Sequence, residues 1–320
     1  WNDFRSSYTK LNLIKKWIKE SNEKIPVLAL SATATKDTIN KISKKLNLKN
    51  AVLITTSFFK SNLSISIKEK EGLKSDLIQI TKLINDCENK SIIYCKTQKE
   101  TVELSDKLNS SNIKSVYYHG GMSSKTRETS QKKFSEDKVD VIIATIAFGM
   151  GIDISNIGLI IHYGISKDIE SYYQEIGRAG RDGNEAKCVL FWRKKDFTLN
   201  RHFLADMKSE ISQNEQLSKI ITIEKFIFSN ECRMKYILKY FGEEFEKCNK
   251  CDNCLKNKSI TKLSSIGTYY TYVILKTYKE LGYGCGSNTT ESILFGSKSK
   301  KVNSKMRSLS TYGILKKKSK

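Results

Sequence analysis

The sequence has no apolar stretch near the roughly 18 residues that a membrane-spanning helix requires. Its first segment, Trp1 to Lys10, lacks the order of charged and then apolar residues that marks a signal peptide. Proline occurs once, at Pro26, and there is neither an internal repeat nor a long disordered linker. These absences predict a soluble intracellular protein with no membrane partner. The 320 residues, 39% of them hydrophobic, are enough for about two globular domains with small accessory modules.

Acidic residues are scarce relative to basic ones, 34 against 56, which leaves a formal net charge of +22. Such an excess favours a polyanion partner, because Lys and Arg displace counterions from phosphates. The alternative is compositional bias, since Lys, Asn and Ile are abundant throughout the chain. The distribution favours a polyanion at the C-terminal end, where residues 258–320 contain thirteen Lys or Arg and two Glu.

Between Ile25 and Trp192, short β-rich runs alternate with amphipathic stretches of helical length, the pattern of a parallel sheet covered by helices. The predicted strands are Val27–Leu30, Ala51–Thr55, Ser91–Cys95, Ser115–Tyr118, Val139–Thr145, Leu159–Tyr163 and Lys187–Trp192. The predicted helices are Thr35–Leu46, Lys74–Cys87, Lys99–Asn109, Ser123–Ser135 and Asp168–Ile176. The fold class is therefore α/β, with a doubly wound parallel sheet.

The helical period is interrupted at Phe58–Glu71, where alternation of polar and apolar residues replaces it, and we place a domain boundary near residue 65. Residues 1–62 offer two strands and two helices, too few for a complete doubly wound domain, so we expect the chain to begin inside one. A helical pattern runs from Phe197 to Phe241, and a basic segment of mixed pattern follows. The predicted domains are residues 1–65, 66–198, 199–258 and 259–320.

Two arginines, Arg178 and Arg181, lie in the glycine-rich stretch Gln174–Gly183, between a predicted helix and a predicted strand. An arginine that reaches a neighbouring domain can stabilise the charge on a transferring phosphoryl group, because its planar fork matches phosphate oxygens. The alternative is a solvated turn with incidental arginines. The position of the stretch after repeated α/β units favours the phosphate interpretation.

Two further stretches place small polar residues just past a predicted strand, where open α/β sheets bind ligands. The first is Ser31–Thr35, in which the hydroxyls of Ser31 and Thr33 are candidates for a phosphate contact or a relay. A helix N-cap at Ser31 or Thr35 is the alternative, and the two roles are compatible. The second is Ala144–Asp153, where Gly151 allows close backbone approach and Asp153 can orient an arginine or a ribose.

Eight cysteines in a chain of intracellular type argue against a disulfide framework. Four of them cluster, and Cys248, Cys251 and Cys254 follow a two-residue spacing that can turn several sulfurs towards one tetrahedral ion. Cys232 completes a set of four ligands, which predicts a closed, structural Zn²⁺ site. The isolated cysteines are interpreted as packing residues, most clearly Cys95 and Cys188, which lie in apolar runs.

Five ordered motifs resemble motifs III to VI of RecQ helicases: SATAT, IIYCKT, YYHGGM, ATIAFGMGID and YYQEIGRAGRDG. The cysteine cluster resembles the one that follows the second motor domain of that family and that DEAD-box RNA helicases lack. The resemblance covers nearly the whole chain. It implies a partial first RecA-like motor domain, a complete second one, a helical zinc-binding subdomain and a truncated winged helix.

The resemblance also implies roles for individual residues. Arg181 corresponds to the arginine finger, Arg178 to its companion on the phosphate side, and Gln174 to a helper at the nucleotide cleft. The stretch Trp1–Arg5 resembles the end of an aromatic-rich loop, so that Trp1, Phe4 and Arg5 are expected to sense single-stranded DNA by stacking. The remaining expected DNA contacts lie in motifs IV and V and in the basic tail: Thr97, Thr145, Lys298, Lys300 and Lys301. For the three lysines, a solvated run is the alternative.

Departures from the family pattern are equally specific. The sequence contains neither G-x-x-x-x-G-K-S/T nor a strand ending in Asp-Glu, so the phosphate cradle and the magnesium carboxylates are absent from it. If the family mechanism holds, we expect ATP and Mg²⁺ to act only in a complete enzyme that includes an N-terminal motor half. The family usually has Arg-Pro where this chain has Lys60-Ser61, and Lys-Pro where it has Ile154-Ser155.

Three functions follow. The first is an ATP-dependent 3′ to 5′ DNA helicase of repair, recombination or replication, located in the nucleus or in the nucleoid and cytoplasm and acting on single-stranded and forked DNA. The second is a non-catalytic zinc and basic module, or half of a split motor, which the missing ATP loop favours. The third, an RNA-directed relative, is disfavoured by the cysteine cluster.

Overall fold

The computed structural model describes residues 10, 13, 27–31, 33–46, 48, 50–149, 154–205, 210–256 and 265–316. The chain divides into two compact units, Trp1–Asn257 and Lys258–Lys320. Among the residues described, every helix is too short or too polar to span a lipid bilayer.

The first unit is built on a parallel sheet of six strands. The strands are β1 (Leu63–Glu69), β2 (Lys90–Cys95), β3 (Ser115–Tyr118), β4 (Val141–Ala144), β5 (Ile157–Tyr163) and β6 (Ala186–Trp192). Their order across the sheet is β1-β6-β5-β2-β4-β3, and every neighbouring pair is parallel. All six carboxyl ends therefore lie at one edge, and the predicted doubly wound α/β class is confirmed.

Helices cover this sheet and continue beyond it. In chain order they are α1 (Lys36–Lys45), α2 (Leu73–Asn85), α3 (Gln98–Ser110), α4 (Ser124–Ser135), α5 (Ile169–Ile176), α6 (Lys194–Ala205), α7 (Glu210–Phe228), α8 (Arg233–Phe241) and α9 (Asp252–Leu255). Side chains of Thr97, Ser123 and Asp168 begin α3, α4 and α5 by accepting a hydrogen bond from the backbone amide three residues later. These N-caps satisfy amides that have no partner inside the helix.

The central strand β2 shows how the core is divided. Its six residues are all buried, because helices cover both faces of the sheet. Ile92 and Tyr94 belong to one hydrophobic cluster, whereas Ile93 and Cys95 belong to a second. Successive side chains of a strand point to opposite faces, so these clusters are the two covered sides of the sheet. The first cluster extends without a break into α7 and α8 and includes Cys232 and Cys251.

Two predicted strands are wrong. Residues 27–30 and 51–55 form no ladder, and Leu28, Leu30, Val52 and Ile54 are 80% to 87% exposed. A strand is stabilised by a hydrogen-bonding neighbour, and within the described ranges no strand pairs with either run. Local apolar, β-branched composition therefore does not make a strand here.

The segment interpreted as a domain boundary contains a strand instead. β1 pairs with β6 along its whole length, with Leu63 and Ile65 almost fully buried and the residue between them half-buried. The alternation of apolar and polar residues is that of an edge strand that is covered on one face. The boundary near residue 65 stays a prediction, and the strand means that it falls inside an element.

The second unit contains α10 (Ser265–Leu281), α11 (Ser287–Leu294) and the short α12 (Ser304–Arg307). Its core has two small clusters, one around Leu281, Ile293 and Val302 and one around Val273 and Leu294. A buried hydrogen bond of 2.8 Å between the hydroxyls of Thr277 and Thr311 ties α10 to the end of the unit. No strand occurs in its described part, residues 265–316.

Candidate functional site

Helix α5 leads into the turn that carries the two predicted arginines, residues 177–184, here termed the arginine turn. The helix is anchored by its buried residues Ile169, Tyr172 and Ile176, and it ends at Gly177. The chain then turns through Gly180 and Gly183, whose φ angles of +61° and +84° are in the left-handed region that glycine adopts without strain. Gln174 projects from the exposed face of α5, on the side of the helix away from the core.

Gln174 contacts the SATAT segment directly. Its Nε2 donates a hydrogen bond of 2.5 Å to Oγ1 of Thr33, and Thr33 is only 8% exposed. The amide of Thr33 lies 3.3 Å from the Ser31 hydroxyl, and Thr35 caps helix α1 through the amide of Thr38. Thr35 thus takes the capping role, while Thr33 takes the contact with α5. The structure brings together two motifs that are 141 residues apart.

Arg178 packs against the glycine loop that follows β4. Its Nη1 donates to the carbonyl of Gly149, and a Cβ atom at Gly149 would overlap the guanidinium. The φ angle of Gly149, +142°, also disfavours a side chain. Nε of Arg178 is buried without a hydrogen-bond partner. Arg181 is exposed at the far end of the turn, and the predicted Gly151 and Asp153 lie outside the described residues.

The carboxyl edge of the sheet holds the predicted threonines. Thr97 follows β2 and is exposed, and its Oγ1 accepts the amide of Glu100 at 3.1 Å. Thr145 follows the neighbouring strand β4, and its amide donates to the Tyr118 carbonyl at 3.1 Å. Because β2 and β4 pair in parallel, both threonines lie along one edge. Trp1, Phe4 and Arg5 lie outside the described residues.

In the second unit, the three predicted lysines follow helix α11. Lys298, Lys300 and Lys301 are all exposed. Their loop is held by Arg307, whose Nη2 lies 3.3 Å from the carbonyl of Lys298. This arrangement fits a phosphate contact and a solvated run equally well.

The four clustered cysteines form a compact set of thiols. The sulfurs of Cys232, Cys248, Cys251 and Cys254 all lie within 4.8 Å of one another, with Cys232 before α8, Cys251 before α9 and Cys254 within α9. Asn249 has a φ angle of +58°, a conformation that Asn tolerates and that makes the tight loop between the second and third cysteine possible. The set offers four soft ligands and no open position, which suits a structural metal.

Backbone amides surround this cluster and point to its sulfurs. The amide of Cys248 donates to Cys232 Sγ at 3.2 Å, that of Cys251 to Cys248 Sγ at 3.4 Å, and that of Arg233 to Cys251 Sγ at 3.3 Å. Burial raises the pKa of Cys251 and of Cys248, whereas at Cys232 hydrogen bonds outweigh burial and lower the pKa. Four thiolates so close together require a cation, so these residues fit a divalent metal.

A buried ion pair beside the cysteines stabilises residues 229–255, here termed the module. The guanidinium of Arg233 is 4% exposed and contacts both carboxylate oxygens of Asp252, at 2.8 Å and 3.1 Å. It also donates to the carbonyls of Phe226 and Ser229, at the end of helix α7. Asp252 in turn accepts the amide of Ile67 at 3.2 Å, so it joins the module to β1.

Replacing Asp252 with Ala is therefore expected to lower the free energy of unfolding by about 3–5 kcal/mol, because it leaves a buried guanidinium without its counterion. Urea denaturation of the full-length gene product at saturating zinc measures the change. Asp106 is an exposed aspartate on α3, and Asp106→Ala is the matched control, expected within about 0.5 kcal/mol of the wild type. Equal effects of the two substitutions would contradict the structural role of the pair.

Sequence reasoning missed Lys60 and Asn62, which contact the backbone of the arginine turn. Lys60 Nζ donates to the Gly177 carbonyl at 2.9 Å, and Asn62 Nδ2 donates to the carbonyls of Gly180 and Asn184 at 2.9 Å and 2.8 Å. The only signal at these positions in the sequence was that Lys60 occupies a place where the family pattern usually has arginine.

Comparison with known protein families gives two matches. The helicase conserved C-terminal domain matches residues 74–183, and the RecQ zinc-binding family matches residues 194–255. The first range runs from α2 to the arginine turn, and the second covers the four cysteines. The assignment of the chain as RecQ-like is thereby confirmed.

Curated relatives match almost the entire chain. It is 33% identical to the ATP-dependent DNA helicase RecQ of Bacillus subtilis over 317 residues, 98% of this chain and 52% of that protein. It is 36% identical over 320 residues to R290 of Acanthamoeba polyphaga mimivirus, whose name describes it provisionally as an ATP-dependent RNA helicase. These residues are 98% of this chain and 57% of R290. The chain thus spans about half the length of these relatives.

The chain is also similar to a mouse protein and to a solved yeast structure. The mouse bifunctional 3′-5′ exonuclease/ATP-dependent helicase WRN is 36% identical over 269 residues, 79% of this chain and 19% of that protein. Yeast Dbp5 bound to RNA and ADP BeF3 matches with a TM-score of 0.45 and 20% identity, over 59% of this chain and 54% of that chain. That similarity is too low to carry a functional conclusion.

Proposed function

Because the chain belongs to the RecQ family of helicases, we propose that its gene product is an ATP-dependent DNA helicase that moves 3′ to 5′ along single-stranded DNA and separates duplexes. In this proposal residues 1–65 belong to a first motor domain, 66–198 form the second, 199–258 bind zinc, and 259–320 belong to a winged helix. Substrates are single-stranded and forked DNA in repair, recombination or replication.

The contact between Gln174 and Thr33 is the observation that carries this proposal. It sets the helix that leads into the arginine turn against the segment that we assign to the first motor domain. A nucleotide cleft between two motor domains needs such a face, since groups of one lobe must reach a phosphate held by the other. Arg181 lies on the turn that directly follows helix α5.

The proposed chemistry is electrostatic. In the complete enzyme the γ-phosphoryl group of ATP would pass to water as ADP leaves, Mg²⁺ would neutralise phosphate charge, and Arg181 would stabilise the negative charge that develops on the transferred group. Arg178 holds the Gly149 loop against the arginine turn and acts as the companion of Arg181 on the phosphate side. Five residues are proposed to couple the state of the bound nucleotide to the contact between the SATAT segment and helix α5. They are Ser31, Thr33, Gly151, Asp153 and Gln174.

For the nucleic acid, the proposed contacts are those at the carboxyl edge of the sheet, the first residues and the lysine loop. In this proposal, Thr97 and Thr145 hydrogen-bond backbone phosphates. Trp1, Phe4 and Arg5 stack on unpaired bases, and Lys298, Lys300 and Lys301 contact duplex phosphates. Zn²⁺, held by Cys232, Cys248, Cys251 and Cys254, acts as a structural crosslink and takes no part in hydrolysis.

Strand separation tests the proposal. The full-length gene product is incubated with labelled forked duplexes that carry either a 3′ or a 5′ single-stranded tail, in DNA and in RNA, with and without ATP. We expect separation of the 3′-tailed DNA fork alone, and only with ATP. Preferential separation of the RNA fork would instead support an RNA helicase.

A non-catalytic zinc and basic module is the second candidate, favoured by the absence of G-x-x-x-x-G-K-S/T from the sequence. The genomic DNA upstream of Trp1 distinguishes the two. An open reading frame that encodes Gly-Lys-Ser/Thr and Asp-Glu supports the helicase, whereas a start codon directly before Trp1 supports the module. In the second case we expect salt-sensitive DNA binding without ATP turnover.

A further inference from the structure

The segment Ser57–Asn62, here termed the linker, contacts the arginine turn at both of its ends. The ammonium of Lys60 reaches the carbonyl of Gly177, where helix α5 ends, at 2.9 Å. The side-chain Nδ2 of Asn62 donates to the carbonyl of Gly180, between the two arginines, at 2.9 Å, and to the carbonyl of Asn184 at 2.8 Å. Arg178 and Arg181 are therefore attached to a backbone that two linker side chains hold.

These contacts have favourable chemistry. The carbonyls at the end of a helix have no partners inside it and carry partial negative charge, which a lysine stabilises. Gly180 is packed so closely on Asn62 that a Cβ atom would overlap the amide, so the contact also depends on glycine. Burial, followed by the positive charge of Arg181, lowers the pKa of Lys60.

The linker is itself held by the cysteine-bearing module. A carboxylate oxygen of Glu243 accepts the amide of Phe58 at 2.7 Å, and the other accepts the hydroxyl of Ser57 at 2.8 Å. Lys250, between the second and third cysteine, donates to the Ser61 carbonyl at 2.9 Å. The ring of Phe58 stacks on Phe241 with centroids 4.4 Å apart. The linker therefore contacts the module through Ser57, Phe58 and Ser61, and it contacts the arginine turn through Lys60 and Asn62.

We propose that Lys60 and Asn62 are positioning residues that hold the backbone of Arg178 and Arg181 in the orientation needed at the nucleotide. The proposal rests on the proposed ATP-dependent activity for its kinetic consequence, but the ordering of the turn can be measured without it. Displacing a catalytic group by about 1 Å can cost about a hundredfold in rate, so loss of one anchor is expected to be visible in turnover.

The test compares two substitutions. Lys60→Met removes the ammonium but keeps a side chain of similar length, whereas Lys60→Arg keeps the positive charge and the N–H hydrogen-bond donors. In the full-length gene product with saturating single-stranded DNA, we expect Lys60→Met to lower kcat for ATP about tenfold with KM changed less than about twofold. Lys60→Arg is expected to restore kcat to within about threefold of the wild type. Lys107→Met, at an exposed position of α3, is the matched control and should match the wild type.

Hydrogen exchange separates failure of this inference from failure of the proposed function. The amides of residues 177–184 are expected to exchange about tenfold faster in Lys60→Met than in the wild type, and at the wild-type rate in Lys60→Arg. If the wild type hydrolyses no ATP, the helicase proposal fails, and the exchange result alone decides the positioning role. If Arg181→Ala removes turnover while Lys60→Met matches the wild type in both turnover and exchange, the positioning role is overturned.

Discussion

Replacing Cys251 with Ser is expected to abolish stoichiometric zinc binding and to unfold the module formed by residues 229–255. Cys251 is fully buried, and its sulfur accepts the amide of Arg233 and lies within 4.8 Å of the other three sulfurs. A serine hydroxyl stays protonated and is a poor ligand for zinc. Because structural zinc contributes about 10–16 kcal/mol of apparent binding energy in small zinc domains, its loss exceeds what the remaining core of the module can offset.

The effect should spread beyond the module. Cys232 and Cys251 belong to the same hydrophobic cluster as Ile92 and Tyr94 of the central strand, so the unfolded module would expose the part of this cluster that packs against it. Zinc content by elemental analysis and hydrogen exchange of residues 229–255 measure the outcome. Cys87→Ser, a half-buried cysteine outside the cluster, is the control and should retain one zinc per chain. Full zinc content in Cys251→Ser would contradict the assignment of this ligand.

Replacing Arg181 with Ala in the full-length gene product is expected to lower ATP turnover by about a thousandfold or more, with ATP affinity changed only a few-fold. An arginine that pairs with the transferring phosphoryl group acts mainly in the transition state, so its removal affects kcat far more than binding. Arg181 follows Gly180 on a turn held by Arg178, Lys60 and Asn62, and the substitution leaves those contacts in place. Steady-state kinetics with saturating single-stranded DNA gives kcat and KM separately.

Arg127→Ala provides the comparison. Arg127 is a half-buried residue of α4, and its guanidinium donates to the Ser124 hydroxyl at 3.3 Å on the same helix, so its loss should leave kcat unchanged. Turnover of Arg181→Ala within about threefold of the wild type would remove the arginine-finger assignment. A rise in KM with kcat unchanged would instead indicate a role in ATP binding.

The elements that sequence patterns predict best are those whose stability is local or whose burial is symmetrical. Helices α3, α4 and α5 were predicted to within about two residues, because side chains at their first turns cap them. The buried strand β2 was equally clear, since both faces are apolar. Residues 27–30 and 51–55 are similarly apolar, yet they form no strand, because strand formation depends on a neighbour that composition does not specify.

The four cysteine ligands could be predicted because three of them are neighbours in sequence, and the two-residue spacing limits where their sulfurs can point. The contacts of the arginine turn could not. Thr33 and Gln174 are 141 residues apart, and Lys60 and Gly177 are 117 apart. Periodicity and spacing describe only neighbours along the chain, so these pairs had no local signature.

By itself, the sequence determined the α/β class, the parallel sheet, the cysteine cluster and the identity of the two arginines. These features depend on residue type and on short spacings, which persist whatever the rest of the chain does. Only the tertiary structure decided that the linker hydrogen-bonds to the arginine turn, that Gln174 hydrogen-bonds to Thr33, and that the module shares a hydrophobic core with the sheet. Such contacts arise when distant segments are packed together, and packing is a property of the whole fold.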